Sequence, residues 1–152
     1  MQMKQPILLA GILCACIASF AQSNKEVKWT FTAKKTADKT YEVSMTAVIN
    51  GNWHLYSQDA GDGPLSTKFT FTANPLLSLN GKPKEVGKMK KVYEEVFKSQ
   101  VRYYERSVSF VQAVTIKGSV KTNLAGKVAF LLCNDKECLP PSEIDFSVDI
   151  GG

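Results

Sequence analysis

Apolar and polar residues alternate along most of this chain with a period of two. Val27, Trp29 and Phe31 do so, then Tyr41, Val43, Met45, Ala47 and Ile49, then Phe69, Phe71 and Ala73, and finally Ile144, Phe146, Val148 and Ile150. Successive side chains of a strand point to opposite faces, so each set marks the buried face of a half-covered strand. Val108 to Ile116 and Val128 to Leu132 are more continuously apolar, which predicts central strands covered on both sides. Turns are expected at Asn50-Gly51-Asn52, at Asp59 to Pro64, at Asn80-Gly81-Lys82-Pro83 and at Asn123 to Gly126. Only Lys90 to Gln100 competes as a helix, and it is short and poorly periodic. Seven or eight short strands at this spacing predict an all-β, two-sheet antiparallel sandwich of immunoglobulin-like type, with a small closed barrel as the runner-up.

The start of the chain breaks the pattern. Lys4 followed by an almost uninterrupted apolar run from Ile7 to Phe20, with Ser19 and Ala21 at the small-residue positions, reads as a signal peptide over residues 1–21. The run is short for a membrane span. Cleavage after Ala21 removes Cys14 and Cys16; cleavage inside Leu13-Cys14-Ala15-Cys16 would instead leave Cys16 to carry a lipid tether, a reading the continuing apolar run disfavours. The expected mature chain, 152 less 21, has 131 residues and forms a single domain over 22–152. That is long enough to bury a core without help from a disulfide. Export also places the domain in a compartment, such as a bacterial periplasm, where disulfides persist.

The whole chain carries 19 Lys and Arg against 14 Asp and Glu; the leader takes Lys4 with it, leaving 18 against 14 and a net charge of +4. Lys82, Lys84, Lys88, Lys90 and Lys91 are the densest basic stretch. They read as lysines guarding a sheet edge rather than as a nucleic-acid surface, because no aromatic residues interleave with them in the manner of an RNA-binding face.

Candidate chemistry concentrates at Cys133-Asn134-Asp135-Lys136-Glu137-Cys138, followed by Leu139-Pro140-Pro141. Zinc needs about four ligands, and the mature chain offers these two cysteines and His54, so no structural zinc is expected. A soft-metal site joining both thiolates to Met45 or Met89 has no support in the spacing. As a staple the pair is weak: closing a six-residue loop stabilises by about 2 kcal/mol, against nearly 5 for a hundred-residue loop. A hairpin mouth at a strand end would place the sulfurs where another protein can reach them, as exchange requires. The charges between them oppose one another, Asp135 and Glu137 against Lys136. Residue types and spacing alone leave a working redox pair and a structural bond level.

The order of these features resembles the N-terminal periplasmic domain of the thiol:disulfide interchange protein DsbD family. The resemblance rests on Cys133-x4-Cys138-Leu139-Pro140-Pro141 and on the upstream run Asn52-Trp53-His54-Leu55-Tyr56-Ser57, and extends from about Val27 to Ile150. It implies an immunoglobulin-like domain whose cysteines pass reducing equivalents from a thioredoxin-like donor to periplasmic disulfide-containing acceptors, such as disulfide isomerases and cytochrome c maturation proteins. It implies no cofactor beyond the Cys133–Cys138 pair. An acidic loop with an aromatic tip caps the family's cysteines; the matching stretch is Tyr93-Glu94-Glu95-Val96-Phe97, with Phe97 as the cap, Glu94 and Glu95 as the acidic residues, and Tyr56 lining the site. By the same analogy Cys138 attacks and Cys133 resolves. Two departures stand out. The loop between the cysteines is a residue shorter than in better-known members, and the membrane-embedded and thioredoxin-like domains are missing, which implies a separate membrane electron donor. The alternative is an exported immunoglobulin-like binding or assembly module whose disulfide is purely structural.

Overall fold

The structure, a computed structural model, describes residues 25–152, so the leader, Cys14 and Cys16 lie outside the described residues. Nine strands follow in chain order: β1 Val27–Ala37, β2 Thr40–Ile49, β3 His54–Tyr56, β4 Lys68–Phe71, β5 Leu77–Glu94, β6 Ser99–Ile116, β7 Thr122–Phe130, β8 Leu132–Cys133 and β9 Ser142–Ile150. All pair antiparallel, in two sheets. The larger has the order β1-β2-β6-β3-β8 with β5 along the other side of β6, and the smaller has the order β4-β7-β9. No ladder joins the two sheets, so the chain forms a sandwich and not the closed barrel considered as runner-up.

The alternating residues do what their period dictates. Val43, Met45, Ala47 and Ile49 from β2, Phe110 and Val114 from β6, Val128 and Phe130 from β7, and Phe146, Val148 and Ile150 from β9 interlock in one core between the sheets. Trp29 and Phe31 close it on the β1 side, with Phe31 stacked on Phe146 at 4.8 Å between ring centroids. Val108 to Ile116 departs from the expectation of a strand covered on both sides. Val108, Phe110, Gln112, Val114 and Ile116 are buried, while the intervening residues form the half-exposed outer face of the sheet.

Two expected turns are strand interior instead. Asn80 to Pro83 bulges out of β5 without ending it, and the β5–β6 register resumes at Lys84 opposite Val111. Gln112, fully buried, makes the bulge tenable by donating from Nε2 to the carbonyls of Asn80 and Gly81, at 3.4 and 3.2 Å. Asn123 to Gly126 lies within β7, where Gly126 permits the close approach of the Thr70 carbonyl on β4. The chain reverses just before it, around Gly118. Lys90 to Gln100 is no helix: it is the end of β5, a turn and the start of β6.

The large sheet changes partners halfway along β6. Residues 107–115 pair with β2, whereas residues 103–105 pair with β3. At the junction Arg106 takes a left-handed φ of 65°, and β5 bulges opposite, between Gly87 and Met89. Two coincident irregularities bend the sheet there. Beyond the bend lies a short end-piece of β3, β8 and the tip of the β5–β6 hairpin, and the cysteines are on it.

Candidate functional site

Chain direction places the cysteines. Phe130 ends β7 in the small sheet, Leu131 crosses, and Leu132–Cys133 joins the large sheet as β8, paired to β3. The continuous apolar run from Val128 to Leu132 is thus one strand and the beginning of another. After Cys133 the chain turns at Asn134, whose Oδ1 accepts from the backbone N–H of Lys136 at 2.8 Å and of Glu137 at 2.9 Å. An Asn side chain that collects two amides in this way fixes a tight turn. The return closes with Asn134 N–H donating to the Glu137 carbonyl and Leu139 N–H to that of Leu132. Cys133 and Cys138 face each other as a bridge pair and are joined by a disulfide, with Cα atoms 4.0 Å apart. Their surroundings differ. Cys133 is 2% exposed, whereas Cys138 stands on the exposed side of the hairpin.

The side of the end-piece turned away from the main core carries the rest. His54 lies opposite Cys133 across the β3–β8 pair, and Tyr56 lies opposite Tyr103 across β3–β6. Leu55 between them points the other way, into the core. Tyr56, Ala60, Val101, Tyr103, Leu131 and Cys133 form a second small core, and Phe97 packs half-buried against it. Phe97 sits in the four-residue turn of the β5–β6 hairpin, where Lys98 adopts a φ of 50°. Its ring meets Tyr56 edge to face at 6.2 Å and rests on Gly63, where any Cβ would come within 2.7 Å of it. Glu94, at the end of β5, accepts a hydrogen bond from the Tyr56 hydroxyl at 3.0 Å and stands 3.5 Å from His54 Nε2. Burial, and then this carboxylate, hold the Tyr56 hydroxyl far above its ordinary pKa, so it stays protonated and donates. Glu95, the other acidic residue expected at the cap, is exposed.

The support beneath Phe97 has no counterpart in the sequence reading. Residues 57–67 loop back over the end-piece, held by Ser57 N–H to the Arg102 carbonyl, Arg102 N–H to the Ala60 carbonyl, and the Thr67 hydroxyl to the Tyr56 carbonyl. Glu85 on β5 anchors the loop. Its carboxylate accepts from Ser57 Oγ at 2.9 Å, Gln58 N–H at 2.7 Å and Tyr104 Oη at 2.5 Å. The Tyr104 hydroxyl is raised well above its usual range by burial first and this carboxylate second. Glu85 is a glutamate in a run of lysines, and in one dimension it reads as one more surface charge. The Asp59 to Pro64 turn signals mark the loop but not what it holds.

The five lysines of the basic stretch are exposed along β5, which pairs on one side alone, with β6. Among the described residues no three His, Cys, Asp or Glu side chains gather to hold a metal ion. Met45 is buried in the main core and Met89 lies exposed on β5, so neither joins the small core around Cys133. A cleft of about 860 Å³ opens beside the cysteine hairpin, between Trp29 and Phe31 on β1 and Leu139, Pro140, Pro141 and Ile144.

Sandwich and site together define a class: an immunoglobulin-like domain with a short-range disulfide, one of its cysteines buried in a small aromatic core and the other exposed. The chain belongs to the DsbD N-terminal family, whose model, described as thiol:disulfide interchange protein DsbD, N-terminal, matches residues 21–150. Thiol–disulfide interchange is that family's chemistry, carried by a cysteine pair and no cofactor. Among curated proteins none matches the chain by sequence. Among solved structures, the reduced DsbD N-terminal domain of Neisseria meningitidis is similar at 17% identity and a TM-score of 0.54, covering 84% of this chain and 88% of that one. The same organism's DsbD N-terminal domain in complex with the PilB N-terminal domain is similar at 15% identity and a TM-score of 0.53, with 85% and 87% covered. At these identities the likeness supports the fold.

Proposed function

We propose that this domain is a periplasmic disulfide-exchange module in which Cys138 exchanges with partners and Cys133 resolves. One observation carries the assignment, the unequal exposure of the two cysteines. An incoming thiolate attacks a disulfide along the S–S axis, and the exposed cysteine here is Cys138. Attack there leaves Cys133 as the buried leaving group. In the opposite direction a reduced Cys138 opens an acceptor's disulfide, and Cys133 releases the product from the mixed disulfide.

Phe97, with Glu94 and the Glu85-anchored loop, is the cap that shields the pair and swings aside for a partner. Glu95 lies at the rim, where a partner meets it. The partners are thioredoxin-like donors and disulfide-bearing acceptors; a solved relative in complex with a second protein's N-terminal domain supports protein partners of this kind. Residues 1–21 serve as the export signal, and the exchange domain spans residues 22–152.

The experiment is trapping. Cys133→Ser leaves Cys138 unable to be resolved, so it accumulates mixed disulfides with periplasmic thioredoxin-like proteins that non-reducing electrophoresis reveals. Cys138→Ser traps few or none. If neither variant captures a partner, the exchange reading fails and the structural-disulfide alternative takes its place.

A further inference from the structure

His54 is the chain's single histidine, and the exchange scheme leaves it unused. It lies directly opposite Cys133 in the β3–β8 register, and cross-strand neighbours of this kind have Cβ atoms about 5 Å apart. Both residues are buried, His54 at 5% exposure and Cys133 at 2%. The imidazole stacks on Tyr103, with ring centroids 4.1 Å apart, and its Nε2 is 3.2 Å from Tyr56 Oη. The Tyr56 hydroxyl has one proton and donates it to Glu94. Its oxygen is therefore the acceptor for His54, which puts the imidazole proton on Nε2 and leaves the free lone pair on Nδ1, the nitrogen nearer the backbone.

A buried thiol has to lose its proton before it can attack, and burial penalises the thiolate. A neutral imidazole one strand away meets that need. We propose that His54 is the proton acceptor for Cys133 in the resolving half of the exchange, an inference that rests on the exchange reading above. With Cys138 Sγ bonded to a partner's sulfur, the Cys133 thiol proton passes to His54 Nδ1. The sulfur's electron pair forms the Cys133–Cys138 bond, the bond from Cys138 to the partner breaks, and the partner leaves as a thiolate with that bond's electron pair. This domain is oxidised from dithiol to disulfide, and the partner's disulfide has gained the same two electrons. Glu94, 3.5 Å from Nε2, balances the charge on the imidazolium until its proton passes to water.

The groups that set the ring's charge come from every neighbouring element: Glu94 and Lys90 on β5, Tyr103 and Glu105 on β6, Tyr56 on β3 itself, and Asp135 in the cysteine hairpin. Desolvation outweighs the carboxylates and keeps the imidazole below its ordinary pKa, hence unprotonated at neutral pH with a lone pair free to accept a proton.

The test uses the reduced protein and the aromatic disulfide of thionitrobenzoate. Attack by Cys138 releases one thionitrobenzoate and leaves a second bound as the mixed disulfide; attack by Cys133 releases the second. Stopped-flow absorbance follows both phases over about pH 5 to 8. The second-phase rate rises with pH and levels off at the midpoint at which NMR shows this sole imidazole titrating. His54→Gln keeps a hydrogen-bonding group but cannot take a proton, and it slows the second phase near neutrality by about 10²-fold, with no plateau. Midpoints that disagree in the wild type, or an unchanged second phase in His54→Gln, overturn the role. The wild-type comparison decides by itself if the variant does not fold. Absence of the first phase sinks the exchange reading, and this inference with it; a normal first phase with an indifferent second sinks the inference alone.

Discussion

At the residue scale, the two cysteines differ in access, and reagents should read the difference directly. With Cys133 replaced by Ser, the remaining Cys138 reacts with a small disulfide at least about 10-fold faster than Cys133 does in Cys138→Ser, since thiol reactivity follows accessibility. Phe97 covers the small core that contains Cys133. Phe97→Ala should lower stability in urea by about 1–2 kcal/mol, as expected for a half-buried aromatic. It should also speed reduction of the disulfide by small thiols several-fold. An equal loss of stability with no change in reduction rate would make Phe97 a packing residue only. His54 gives the fold a pH dependence of known sign. Its imidazole is held below the ordinary value of 6.5, so as pH falls through that value the unfolded chain takes up a proton that the folded chain refuses. Stability is therefore full above about pH 6.5 and declines below it, until His54 is protonated in the fold as well. Urea melts at about pH 7.5 and about pH 5 should show the decline, and His54→Gln should flatten that part of it.

At the scale of elements, much of the strand pattern was legible because period-two alternation survives wherever a sheet has one wet face. Val43, Met45, Ala47 and Ile49, and Phe146, Val148 and Ile150, point inward as their spacing requires. What misled were local turn signals overridden by tertiary partners. Asn80-Gly81-Lys82-Pro83 looks like a hairpin turn, but buried Gln112 satisfies the carbonyls of a bulge instead, and no short-range signal announces a partner about thirty residues away. The site was legible to different depths. Cys133 and Cys138 share a disulfide, Tyr56 and Phe97 pack in or against the small core that holds Cys133, and Glu94 bonds to Tyr56, while Glu95 faces solvent. Glu85 was invisible because its role depends on donors from three residues, Ser57, Gln58 and Tyr104, in two other segments. Glu85→Ala strands the hydroxyls of Tyr104 and Ser57 and should cost about 1–3 kcal/mol. Hydrogen exchange should show the Gln58 amide losing protection, with the loop 57–67 loosening under Phe97. Unchanged protection there would mean that the loop is held by its backbone bonds alone.

At the scale of the whole molecule, the two sheets close around a core that reaches from β1 to β9 without involving the disulfide. The disulfide sits on the end-piece beyond Arg106, outside the main core, although Leu132 and Leu139 on either side of it pack into that core. A sandwich built this way does not lean on a bond that spans five positions, and loop-closure entropy sets its contribution at about 2 kcal/mol. That independence is what an exchange domain requires, because it has to remain folded in both redox states. The measurement that bears most directly on the exchange role is a redox titration of the domain in glutathione or dithiothreitol buffers, read by the oxidation state of Cys133 and Cys138. A reversible two-electron transition is expected above about −300 mV, with the sandwich intact on both sides of it. A bond that resists reduction to below about −300 mV, or a domain that unfolds when the bond opens, would contradict it.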